Sequence, residues 1–226
     1  MGIRDIRIFI SVDWIMYPTN PIARSIATSR MSALTKSRKG RLRTKENSKG
    51  NSIGDREPMV DKSKTIYLGQ KILHFDVPEG LIEEINGVYE EKISTLKSYN
   101  NNLAGKIAKE HRVDEELPES VKRYFEDRFN DYLMEVKVMR YISPAAAWIN
   151  EMVEHEYNPF HYHIGKTEIG LTSVLCLKKP NDYGVEIARE NDPANGRLEL
   201  VGNGGGMFGY NQHKVDLNVG DLYIFP

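Results

Sequence analysis

Hydrophobic residues recur at helical spacing in two stretches of this 226-residue chain. In residues 78–97, Leu81, Ile82, Ile85, Val88, Tyr89, Ile93 and Leu96 fall on one face and predict an amphipathic helix. In residues 119–139 the stripe is Val121, Tyr124, Phe125, Phe129, Tyr132, Leu133, Val136 and Met139, and Pro118 suits a first helical turn. After Pro144 the pattern shortens to that of strands. Residues 147–150, 156–163, 170–177, 197–201, 214–217 and 221–225 each read as β. The segment 170–177 is almost wholly apolar or small, as in a buried strand. The last two strands read as a pair around the turn Asn218-Val-Gly-Asp, and 66–75 reads as an early strand pair or extended segment. Helices first and many short strands after them predict an α+β fold, a small barrel or jelly roll backed by two helices.

Residues 20–64 break this patterning. They are rich in Ser, Thr, Lys, Arg, Asn and Gly, without hydrophobic periodicity, and cannot bury enough apolar surface to offset ordering entropy. The chain thus reads as a disordered basic N-terminal extension over 1–64 and a folded domain over 65–226. The net charge of −1 hides an asymmetry: residues 24–49 hold nine Lys or Arg and one Glu, so they carry +8 and the remainder −9. A nucleic-acid tail and an organelle transit peptide are alternatives to an unstructured leader. No aromatic is interleaved with the basic residues, so base stacking has no support.

The single cysteine, Cys176, excludes an intramolecular disulfide, reads as core, and fits a reducing, cytoplasmic setting. No apolar run reaches the ~18 residues of a membrane span. The apolar run 8–12 is short and ends at the charged Asp13, so no signal peptide is predicted.

The chemistry of the sequence concentrates at His161 and His163. Side chains at i and i+2 share one face of a strand, and two imidazoles so placed can grip one iron, zinc, copper or nickel ion. The same spacing also suits two half-exposed histidines in a loop. Gly204-Gly-Gly206 lacks the Lys-Ser/Thr of a phosphate loop.

Several motifs carry a resemblance. Trp148-Ile-Asn150 runs into Glu156-Tyr-Asn-Pro-Phe-His-Tyr-His-Ile-Gly165 and then Ser173-Val-Leu-Cys-Leu-Lys-Lys-Pro180. Upstream lies Asn100-Asn-Asn-Leu-Ala-Gly105; downstream lie Pro193-Ala-Asn-Gly196 and Asn218-Val-Gly-Asp-Leu-Tyr-Ile-Phe-Pro226. Together they resemble the phage-encoded iron(II)/2-oxoglutarate-dependent oxygenases, over about residues 65–226. The resemblance implies a double-stranded β-helix (jelly roll/cupin-like), preceded and backed by the two helices, in the cytoplasm of a host cell. It also implies Fe(II), with 2-oxoglutarate as co-substrate, and hydroxylation of an unknown substrate: a protein, nucleotide or small molecule.

Carried over to this chain, His161 is the first iron ligand. His163 occupies the position that most such oxygenases fill with Asp or Glu. Asn150 is a candidate hydrogen-bonder of the co-substrate, with a buried, backbone-satisfied Asn as the alternative. Lys178 is a candidate partner for its carboxylate, with a solvated strand end as the alternative. The family pattern normally continues beyond the place of Pro226 to a further His and Arg, so the chain reads as truncated, with His213 an in-chain candidate for the third ligand. A chain so limited is expected to bind iron(II) weakly and to turn over 2-oxoglutarate poorly or not at all. Other classes fit the same pattern: a non-catalytic jelly-roll binding or virion-associated protein, or a cupin-type metal enzyme that does not use 2-oxoglutarate.

Overall fold

The clearest period-two alternation in the chain, Ile8, Ile10, Val12 and Trp14, builds its central strand. The computed structural model describes residues 7–17, 69–100, 105–138, 141–161, 170–183, 194–202 and 211–226. The chain divides into two units, Met1–Pro18 with Gly69–Pro226, and Thr19–Leu68. The second unit lies outside the described residues.

In the first unit, strand β1 (Arg7–Tyr17) pairs antiparallel with β4 (Tyr141–Met152) on one side and β5 (Gly170–Lys178) on the other. Strand β8 (Asp221–Phe225) flanks β5, and β2 (Leu73–Asp76) closes that edge. Strand β3 (Lys109–Arg112) closes the other, giving a six-stranded sheet in the order β2-β8-β5-β1-β4-β3. A separate two-stranded ribbon pairs β6 (Leu198–Val201) with β7 (Gln212–Val215).

Helices α1 (Glu79–Lys92) and α2 (Glu119–Glu135) cover one face of this sheet. Ile82, Ile85 and Tyr89 of α1 and Val121, Phe125, Phe129 and Leu133 of α2 pack in one core with Ile10, Val12, Ile149, Leu175, Leu222 and Ile224. Trp14 stacks on Phe129, with ring centroids 4.8 Å apart. On the opposite face a smaller cluster joins Phe9 and Cys176 to Val215 and Leu217. The architecture is mixed α+β, as the patterning predicts.

Three expectations need correction. The reading of residues 1–64 as a disordered extension fails over Arg7–Tyr17, because the alternating residues of β1 are buried between two partner strands. The expected pairing of the last two strands also fails. Strand β7 pairs with β6, and β8 instead joins β5 and β2, so its alternating Leu222 and Ile224 reach the helix-covered core. Finally, β4 begins at Tyr141, upstream of Pro144. A proline is tolerated there because β3 reaches only residues 148–151 of β4, and the β1 register slips by one residue beside Pro144.

Candidate functional site

The helix-free face of the sheet is built by the other half of the strand alternation, and it is polar near its middle. Asp13 on β1 lies opposite Thr172 on β5, whose hydroxyl donates to Asp13 Oδ1 at 3.0 Å. Asn150 on β4 lies between Phe9 and Glu110 in register and is only 7 % exposed. Its backbone belongs to the ladder, yet its side-chain Oδ1 has no hydrogen-bond partner among the described residues. A buried amide end without a partner costs about 1–3 kcal/mol and is unusual in a native fold. It is the atom on this face most in need of a ligand group or water.

Lys178 sits at the exposed end of β5. Its neighbour Lys179 is the lysine tied into the fold, donating to Leu217 O at 3.3 Å and Asn218 Oδ1 at 2.9 Å. Lys179 also lines an open cavity of about 360 Å³ with Asp182, Tyr183, Arg197 and Asp216. Arg197 pairs with Asp216 at 2.7 Å across it. Gly196, at φ +69°, packs against the Tyr183 ring, so a side chain there would overlap the ring as well as strain the backbone. Lys179 and Pro180 thus meet the Gly196 turn around one cavity, which Lys178 does not line.

His161 stands in a loop rather than on the strand expected over 156–163. Among the residues described there, Tyr157 alone forms a bridge, pairing with Lys106 through hydrogen bonds of 3.0 and 3.1 Å. Glu156 reinforces the attachment, accepting from the Val153 N–H at 2.9 Å and the Ala108 N–H at 3.0 Å. Gly105 makes the close approach possible: a Cβ there would lie 2.6 Å from Tyr157 O and 2.7 Å from Pro159 Cδ. The loop so anchored carries the Pro159 carbonyl to 2.8 Å from His161 Nδ1. A carbonyl can only accept, so His161 Nδ1 carries a proton and donates it. Metal-binding histidines commonly have their second nitrogen committed in this way.

The face-sharing argument from strand periodicity does not apply at His161. His163, like the loop Gly204-Gly-Gly206, lies outside the described residues. His213 is exposed on β7, opposite Leu200.

No protein-family model, curated protein or solved structure matches this chain. Among the described residues, no helix is long and apolar enough to cross a membrane.

Patterning did not single out one further cluster. His74 and Asp76 on β2 converge with Asp221 on β8, their potential ligand atoms all within 4.8 Å of one another. His74 Nε2 lies 2.9 Å from Asp221 Oδ1 and 3.9 Å from Asp76 Oδ1. The turn before β8 sets Asp221 in place. Its Oδ2 accepts the Asn218 N–H at 2.6 Å, its own N–H donates to Asn218 O at 3.0 Å, and Gly220 takes φ +95° between them. The His74 ring stacks on Tyr223, with centroids 4.7 Å apart. Burial pushes the Tyr223 hydroxyl above its ordinary value, with Asp221 and Asp76 adding to the rise. A sequence signal was present: His74-Phe-Asp76 is a His-x-carboxylate pair at the end of the segment 66–75, which reads as extended. Its third member lies 145 residues later, and the β2–β8 register brings it close.

Proposed function

We propose that this protein is an iron(II)/2-oxoglutarate-dependent dioxygenase with a double-stranded β-helix fold, like the phage-encoded oxygenases that its motifs resemble. The observation that carries the reading is the state of His161. Its Nδ1 is committed to the Pro159 carbonyl, so a metal would be taken through Nε2, on a loop pinned by Gly105 and Glu156. Both motifs that make this junction belong to the resemblance, although fifty residues separate them. The layout supports it too, with helices on one face of an antiparallel sheet and a short ribbon packed against the other.

In this reading His161 and His163 hold iron, and Asn150 offers its unpartnered amide end to the co-substrate. Lys178, exposed at the end of β5, reaches toward a co-substrate carboxylate. The bound iron with 2-oxoglutarate would supply oxidising power for hydroxylation. The chain's own part is to hold the imidazole in one tautomer, orient the co-substrate and limit water on that face.

Calorimetric titration of 2-oxoglutarate without oxygen tests this. Binding is expected only with iron(II) present, and His161→Ala should weaken it at least tenfold. Equal binding with and without iron, or no effect of His161→Ala, overturns the reading.

A further inference from the structure

We propose that His74, Asp76 and Asp221 form a second metal site, taking a divalent first-row transition ion at the β2–β8 edge of the sheet. Three donors holding an ion at ~2.0–2.2 Å on one octahedral face lie roughly 3 Å apart. The His74–Asp221 separation of 2.9 Å already matches. The His74–Asp76 separation is 3.9 Å and all three donors lie within 4.8 Å of one another; Asp76, with its side chain 95 % exposed, is free to turn inward and close the remaining gap.

The register gives the cluster a reason to take a cation. Asp76 and Asp221 are direct cross-strand partners, and like charges directly opposite in a sheet are destabilising. Charged residues on an edge strand also discourage pairing with other chains. That role requires no convergence on one point, however, and these three donors converge. Two of the three donors are also ordered in advance. Tyr223 stacking fixes the imidazole plane, and the Asn218 N–H occupies Asp221 Oδ2 while Oδ1 faces His74. On binding, the proton that His74 Nε2 donates to Asp221 Oδ1 passes to solvent, and Nε2 and Oδ1 each bond the ion instead.

The donor set selects the ion. An imidazole beside two carboxylates suits manganese, iron, cobalt or zinc, whereas calcium and magnesium prefer all-oxygen shells. Three protein donors leave positions for water or a small anion. The site is separate from the one proposed for the oxygenase reaction. Strand β8 lies three strands from β4, which carries Asn150, or about 14 Å at ordinary sheet spacing.

Manganese(II) titration of the full chain, followed by the fall of the free-ion electron paramagnetic resonance signal, tests this. Asp76→Ala and His74→Ala should each lower the affinity of one site at least tenfold, since losing even a group that only orients a ligand costs about 10–100-fold. The Asp76 side chain is 95 % exposed and the His74 side chain 42 %, and neither belongs to the apolar core, so the fold should persist in far-UV circular dichroism. The double variant His161→Ala/His163→Ala should leave this site unchanged, which separates its failure from failure of the oxygenase reading. Manganese binding that is unaltered in both Asp76→Ala and His74→Ala, or absent from the wild type, overturns the proposal.

Discussion

Replacing Ile10 by Ala asks whether the N-terminal segment belongs to the fold. Ile10 is fully buried at the centre of β1, opposite Ile149 on β4 and Leu175 on β5, both of which are also buried. Removing a buried Ile side chain to Cβ costs about 2–5 kcal/mol, the transfer term plus the cavity left behind. The upper half of that range fits here, because neighbours on two flanking strands and the helices above are locked by their own packing and cannot collapse into the gap. A domain of this size holds about 5–15 kcal/mol in all. Urea unfolding followed by circular dichroism should therefore show a midpoint far below the wild type at an unchanged slope. Ser11→Ala, one residue along on the opposite face, is the control and should fall within about 0.5 kcal/mol. If β1 were a dispensable leader, Ile10→Ala would match that control, and placing the strand at the centre of the sheet would be wrong.

Gly105→Ala should push the Asn158–Pro159 backbone away, costing about 1–3 kcal/mol and weakening iron(II) binding at His161 in a metal titration. Trp14→Ala should cost about 3–5 kcal/mol in urea unfolding. Trp14→Phe should cost far less, because it keeps a ring against Phe129 and removes a buried indole N–H that has no partner among the described residues. Burial raises the Asp114 pKa, but the two-point hydrogen bond from Arg112 and that charge outweigh it and leave the carboxyl below its ordinary value. The folded value is the lower one, so this stabilisation is fully present above the unfolded carboxyl's pKa and is lost as pH falls through the lower folded value. Asp114→Asn should remove about 0.5–1 kcal/mol at neutral pH and flatten that part of the acid stability profile.

The helices and β5 were legible because their apolar periodicity is long and their burial one-sided or complete. Predicted over 78–97 and 119–139, the helices run over Glu79–Lys92 and Glu119–Glu135, so existence and type were clearer than ends. Strand β1 carries as plain an alternation, but a basic, aperiodic stretch comes after it, and composition there outweighed a local period of two. The pairing of β8 was hidden for a different reason. Adjacent strands joined by a tight turn invite a hairpin, whereas the core demanded that Leu222 and Ile224 cross to the main sheet. At the candidate sites, sequence could point to His161 but not to the Pro159 carbonyl that sets its tautomer. Asn150 was visible as a polar residue in a strand, while its unpartnered oxygen is a property of packing. The pair His74 and Asp76 was visible, and Asp221 could join it only through register.

If His161 helps hold an iron ion that 2-oxoglutarate chelates, the visible absorption of the protein mixed with iron(II) and 2-oxoglutarate without oxygen reports it. A charge-transfer band should appear only when both are present, and should be lost in His161→Ala but kept in Asp76→Ala. No band in the wild type, or a band undiminished in His161→Ala, would rule out iron held by His161.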